Sequence, residues 1–263
     1  MREIPDFLND IKSLFEYIYR YATPEFHLEY QTRDQRRPPD LLSANAELRR
    51  IALVYAYSGG VQARPVRAMI NENHYDLAFS EFEVEIVRKI NPCDVYDLHW
   101  ESIKSIKNES KLLWIVRAAR VLFSGNSFFS ELIANHVPTY IKKIDDVEMF
   151  WLTLKKVEKK LKKMHLSGMQ SVTSQLHFLM ELGYDCVKPD RIVMDVAQEL
   201  GMVGASRENA DLIRVARLLQ IFALNMEVRP AILDMYFLIQ GGHTDAKNWT
   251  TPDFVPWKWP RRN

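Results

Sequence analysis

Apolar residues in this chain return every three to four positions over almost its whole length, while alternation with a period of two, bounded by turn residues, is scarce. That periodicity suits helices packed on helices, and the chain is predicted to be all-α. The predicted helices run near 4–20, 46–58, 61–71, 80–90, 109–123, 127–135, 145–164, 171–182, 190–200, 206–223 and 229–240. They are short and joined by short loops, which excludes a long coiled coil. With 263 residues, of which 47% are hydrophobic, the chain can bury the core of one large domain or of two closely associated lobes.

Two stretches break the pattern. Residues 31–40, QTRDQRRPPD, form a polar, proline-rich joint that cannot continue a helix and is expected to link two packed regions. After Gln240 the chain ends in GGHTDAKNWTTPDFVPWKWPRRN, with three prolines and three tryptophans. This tail is expected to be extended, either pinned to the body by Trp257 and Trp259 or laid across another surface.

Several functional classes are excluded. A formal charge of +1 does not mark a global nucleic-acid binder, so any polyanion surface has to be local. The two cysteines, Cys93 and Cys186, form no metal-ligand or disulfide framework. The opening MREIPDFLND has no uninterrupted apolar stretch, and no window approaches the roughly 18 to 20 apolar residues of a membrane span. A soluble, reducing, cytoplasmic setting is expected. The histidines, His27, His74, His99, His136, His165, His177 and His243, show neither H-x-x-x-H nor H-E-x-x-H spacing, and no phosphate-cradling glycine loop occurs.

The most informative segment is 166–196, LSGMQSVTSQLHFLMELGYDCVKPDRIVMDV. It predicts a tight turn at Gly168, a helix, a stop at Gly183, and a new helix opened by Lys188-Pro189-Asp190. Leu166, Gly168 and Thr173 followed by Asp190 resemble the L-P-G-V-G-x-K-x-A hairpin and V-D-x-H-V segment of the helix-hairpin-helix DNA glycosylases of the endonuclease III superfamily. Weaker likenesses are ELRRIALVYAYSGGVQA at 47–63 and PAILDMYFLIQGG at 230–242. The resemblance implies a two-lobed all-α fold with a substrate cleft between the lobes. Residues 40–183 would form a six-helix lobe ending in the hairpin, and residues 1–39 with 184–263 a second lobe carrying the catalytic aspartate.

The chemistry of base excision suits these residues. An enzyme acting on a base in a duplex must extrude it and hold the distorted backbone. A hairpin turn with a helix behind it offers backbone N–H groups and a positive dipole end to a phosphate. By the resemblance, Gly168, Gln170, Ser171 and Thr173 form that anchor, with Gln170 in place of the family's second glycine. Lys188 and Arg191 flank the aspartate, where they can bind phosphate or pair with surface acids. Asp190 is expected to stabilise the oxocarbenium-like sugar or orient water; its alternative role is that of a helix N-terminal acid. Gln62, beyond Gly59-Gly60, falls where the family inserts a wedge into the gap left by the flipped base. Tyr57, Phe150 and Trp151 are candidates to stack on that base.

Bifunctional members of the family use a lysine at the position of Val172, so the resemblance implies hydrolysis to an abasic site without strand cleavage. The family's hairpin often holds a monovalent cation, while two cysteines exclude its four-cysteine iron–sulfur cluster. Double-stranded DNA is the expected partner and a monomer the expected state, with no membrane association. The substrate would be an alkylated or oxidised base in repair, or a bulky modified base of the kind some bacteriophages place in their DNA, which would make the enzyme a defence factor. The lysine-rich stretch 155–165, KKVEKKLKKMH, would add phosphate contacts or simply be a solvated face. The rivals are a non-catalytic helix-hairpin-helix DNA-binding protein and an all-α interaction scaffold.

Overall fold

The computed structural model describes residues 4–125, 127–129, 133–134, 136–164, 166, 168–205 and 208–259. His165 and the last four residues of the tail lie outside them, as does part of the predicted helix at 127–135. Among the described residues the protein is all-helical with no strand; an isolated bridge joins Ala22 to Thr250.

The helices are α1 (Ile4–Tyr19), α2 (Pro24–Gln35), α3 (Ala44–Ala56), α4 (Ala63–Asn71), α5 (His74–Ala78), α6 (Val84–Val87), α7 (Pro92–Ile103), α8 (Ser110–Phe123), α9 (Ile144–Lys163), α10 (Val172–Leu182), α11 (Arg191–Glu199), α12 (Asn209–Asn225) and α13 (Pro230–Gln240). They fall into two compact units. Residues 1–38, 138–148 and 179–263 make the first, and residues 39–137 and 149–178 the second. Residues 138–148 and 179–183 thus group with the chain ends. The second unit carries 17 lysines and arginines against 13 acids, a net +4, and the first 18 against 21, a net −3.

In the first unit α13 is buried along almost its whole length. Leu233 and Phe237 pack with Phe7 and Ile11 of α1, Val193 and Val196 of α11, and Leu219 and Phe222 of α12. Ile232, Met235, Tyr236 and Ile239 face Leu14, Ile18 and Phe26, with Phe15 stacked on Tyr236 at 3.5 Å. The tail closes this layer. The Gln240 amide donates to Trp257 O at 2.7 Å and accepts from Trp257 N–H at 2.9 Å, while Tyr17 Oη donates to Val255 O. Trp257 and Trp259 pack against the same core. In the second unit α3 and α8 pack on each other and on α6, with Ile51, Tyr55, Ile115 and Ala119 buried.

Three helices escape the periodicity. In α2 Phe26 is the one buried apolar residue, and the helix is set instead by its ends: the Thr23 hydroxyl accepts from Phe26 N–H and Pro24 occupies the first turn. Residues 31–35 of the proposed joint are therefore helical, with Arg33 turned inward to Asp234 (2.8 Å) and Glu29 (2.6 Å), and the helix ends at Gln35, where Arg36 turns extended ahead of the Pro38-Pro39 pair. Helix α7 starts the same way, from Asn91 and Pro92, and α5 is a single short turn. The helix predicted at 80–90 is interrupted. Ser80, Glu81 and Phe82 all have positive φ (48°, 54° and 60°), a conformation costing about 1–2 kcal/mol per L-residue. That strain is offset by burying Phe82 against Phe79 and Tyr75, with ring centroids 5.7 and 5.4 Å apart.

Candidate functional site

The predicted hairpin lies in the second unit, as the turn joining α9 to α10. Met169 N–H donates to Leu166 O at 3.2 Å, closing a tight turn with Gly168 at φ +80°. Glycine is required there twice over. A side chain would be strained at that φ, and a Cβ would stand 2.6 Å from Tyr55 Cε1 and 2.9 Å from Trp114 Cε3. The close approach that Gly168 permits is thus to the aromatic floor of its own unit, and that packing fixes the hairpin on α3 and α8.

Behind the turn, Ser171 caps α10. Its hydroxyl accepts from Ser174 N–H (3.1 Å) and donates to Ser174 Oγ (2.8 Å), so its donor is directed into its own helix. The backbone N–H groups of Val172 and Thr173 have no acceptor among the described residues. Gln170 and Ser171 are exposed, Thr173 half-buried and Val172 buried. Gln175 braces the turn from below: it is 1% exposed, and Nε2 donates to Met169 O at 3.1 Å. Met169 O and Leu166 O, two carbonyls to which a hairpin cation could turn, already accept these bonds.

The segment 57–62 lies in the same unit. Tyr57 ends α3, half-buried, with its ring 6.3 Å from that of His177 on α10. Gly59 and Gly60 both have positive φ and open space where a Cβ would be, and Gln62 is exposed at the start of α4 without a side-chain capping bond. Two lysines hold this loop. Lys111 Nζ, 1% exposed, donates to Ser58 O (2.8 Å) and Ile106 O (2.7 Å), and Lys107 Nζ donates to Gly60 O (3.3 Å). Of the other aromatic candidates, Trp151 is half-buried, whereas Phe150 is fully buried and offers no open face to a base. Its position on the inward side of α9 accounts for this.

Asp190 belongs to the first unit, where Arg229 holds the start of the segment 183–190 at Gly183 and Asp185. The Arg229 guanidinium, rich in donors, gives Nε to Asp185 Oδ1 (2.8 Å), Nη2 to Gly183 O (2.6 Å) and Nη1 to the carbonyls of Arg33, Asp34 and Arg36 at the end of α2. Gly183, at φ +95°, lies so close to Arg36 and Arg37 that a Cβ would sit 3.0–3.1 Å from their carbonyl carbons. Asp185 also accepts from Ile141 N–H at 3.0 Å, and its own carbonyl accepts from Gln220 Nε2 at 2.8 Å.

At the end of this segment Asp190 caps α11. Oδ1 accepts from Ile192 N–H (3.0 Å) and Val193 N–H (3.1 Å), while Oδ2 lies 3.7 Å from Lys188 Nζ. The Asp190 side chain is 26% exposed. Arg191 is exposed, with no carboxylate partner among the described residues. Asp234, on α13, is a buried acid behind Asp190 that sequence reading missed. It is 2% exposed and paired with Arg33; burial pushes its carboxyl up, Arg33 partly counters this, and the charge of Asp190 adds to it. Its one visible signal was an acid within the apolar run AILDMYFLI.

Among the described residues no group of three or more His, Cys, Asp or Glu side chains could hold a metal ion, and no helix is long and apolar enough to cross a membrane. A cavity of about 310 Å³ in the first unit, lined by Ile239, His243, Lys247, Thr251 and Phe254 among others, includes none of the nominated residues. No protein-family model, curated protein or solved structure matches the chain.

Proposed function

We propose that the protein is a monofunctional DNA glycosylase of the two-lobed helix-hairpin-helix kind, acting on double-stranded DNA as a cytoplasmic monomer. Asp190 is its catalytic carboxylate and the 166–173 turn its backbone anchor. The observation that carries this reading is the Gly168 turn with the N–H groups of Val172 and Thr173 behind it, without an acceptor among the described residues, followed in the chain by an aspartate with one carboxylate oxygen outside its helix cap. The N–H pair and the dipole of α10 suit a phosphate oxygen.

Asp190 Oδ2 suits the positive charge that develops at C1′ as the N-glycosidic bond breaks. Water adds at C1′, and the base leaves with a proton. Gln62 and the open Gly59-Gly60 backbone are suited to the gap left by an extruded base, with Tyr57 and Trp151 available for stacking. Gln170, Ser171, Thr173, Lys188 and Arg191 are the remaining proposed DNA contacts. Val172, buried and without an amine, supports hydrolysis without a Schiff base.

The test is incubation of the purified protein with unmodified, alkylated, oxidised and phage-hypermodified DNA. Released bases are read by mass spectrometry, abasic sites by aldehyde labelling and strand breaks by gel. Base release with intact strands from one DNA is the expected result; breaks at the abasic site would overturn the monofunctional assignment. A non-catalytic DNA-binding protein is the second reading, favoured by the two capping bonds of Asp190 Oδ1, and predicts duplex binding with no release from any DNA.

A further inference from the structure

Helix α9 presents a face that the fold does not use. Lys155, Lys156, Lys159, Lys160, Lys162 and Lys163 are all exposed and, at 100° per residue, fall within an arc of about 160°. The opposite side is committed to the core through Phe150, Leu154, Val157 and Leu161, each no more than 3% exposed. Lys162 pairs with Glu158 at 2.7 Å, and the other five lysines have no carboxylate partner among the described residues.

Within the isolated protein this arrangement is unfavourable. The pairs 155/159, 156/160 and 159/163 each set like charges one turn apart, at a cost of about 0.2–0.5 kcal/mol per pair. From Lys155 to Lys163 the helix rises about 12 Å, a length over which duplex DNA carries about seven phosphates. The linear charge density of the lysine face therefore approaches that of the duplex with opposite sign. An amphipathic membrane helix would need its apolar side free to enter lipid, and here that side is already buried. Six of the second unit's 17 cationic residues stand on this one face.

We infer that the 155–163 face of α9 is a phosphate-backbone track for duplex DNA, separate from the hairpin turn and independent of sequence and of base excision. It neutralises about five phosphates and supplies most of the salt-sensitive binding. The track deepens the glycosylase reading but does not depend on it, because its readout is binding to unmodified duplex.

The experiment measures the affinity of the full chain for an unmodified 20-base-pair duplex by fluorescence anisotropy between 50 and 200 mM salt, for wild type and for Lys155→Gln/Lys159→Gln/Lys163→Gln. A control exchanges Arg20→Gln and Lys247→Gln, exposed cations of the other unit. With a slope of about −0.9 per phosphate, the triple variant should flatten the log–log salt dependence by about 2.7, and wild type should lose about 40-fold more affinity than the variant over that range. The control should keep the wild-type slope, and thermal melts should show every variant folded. An unchanged slope in the folded triple variant, an equal change in the control, or binding to phosphatidylserine vesicles in place of duplex would overturn the track. Strong salt-dependent binding without base release from any DNA would retain the track and remove the glycosylase.

Discussion

Asp190 divides its carboxylate between two tasks, with Oδ1 capping α11 and Oδ2 lying 3.7 Å from Lys188 Nζ. The cap alone predicts a pattern of stability. Asp190→Asn keeps an acceptor for Ile192 and Val193 N–H and should melt close to wild type, whereas Asp190→Ala should lose about 0.5–2 kcal/mol. Denaturant titration of both variants checks this; equal losses would show that the charge, rather than the capping bonds, fixes the helix start.

Gly168 should tolerate no side chain. Gly168→Ala forces an L-residue to φ +80° and drives Cβ against Tyr55 and Trp114, for a loss of about 2 kcal/mol or more. If the turn anchors a phosphate, the variant should also lose duplex affinity at temperatures where it remains folded. A variant as stable as wild type would show that the Tyr55 and Trp114 rings yield freely.

Arg229 should be the costliest cation to remove. Arg229→Met leaves Asp185, 6% exposed at its side chain, without its ion-pair partner and frees the carbonyls at the end of α2, for a loss of about 3–5 kcal/mol. Arg229→Lys should recover little, because a single ammonium cannot reach all the acceptors that Nε, Nη1 and Nη2 of the guanidinium hold in separate directions. Urea unfolding of both variants gives the comparison, and full rescue by lysine would contradict the staple.

Lys111 should leave a signature in the pH dependence of stability. Burial, aided by the charge of Lys107, brings its amine down to about 8, whereas an unfolded lysine titrates near 10.4. Between those values the unfolded chain holds more protons at this site, so its contribution makes stability rise with pH across that window. Lys111→Met removes the slope along with the bonds to Ser58 O and Ile106 O. Urea midpoints measured from pH 7.5 to 10 check this, and identical slopes in the two proteins would contradict it.

The helices legible in the sequence are those whose apolar residues share a face, and two of those that escaped, α2 and α7, are built from their ends. Helix α2 follows from Thr23 and Pro24, and α7 from Asn91 and Pro92, short-range signals that a search for periodicity passes over. The 80–90 segment has helical spacing, yet burial of Phe82 beside Phe79 outweighs three left-handed residues, a tertiary effect that local pattern cannot express. Around Asp190 the cap and its neighbour Lys188 were legible from Lys188-Pro189-Asp190, but Asp234 with Arg33 behind it depends on segments far apart in the chain. Phe150 and Trp151 are adjacent and chemically alike in sequence; only the side of α9 on which each falls separates a core ring from a half-open one.

The most direct measurement compares base release by wild type and Asp190→Asn from the DNA panel, with the melting temperature of both proteins recorded in the same buffer. The account predicts release by wild type from one class of modified DNA, a loss of at least a hundredfold in the variant, and equal melting temperatures. Equal release by the two proteins, or silence of the folded wild type on every DNA, would contradict a catalytic Asp190.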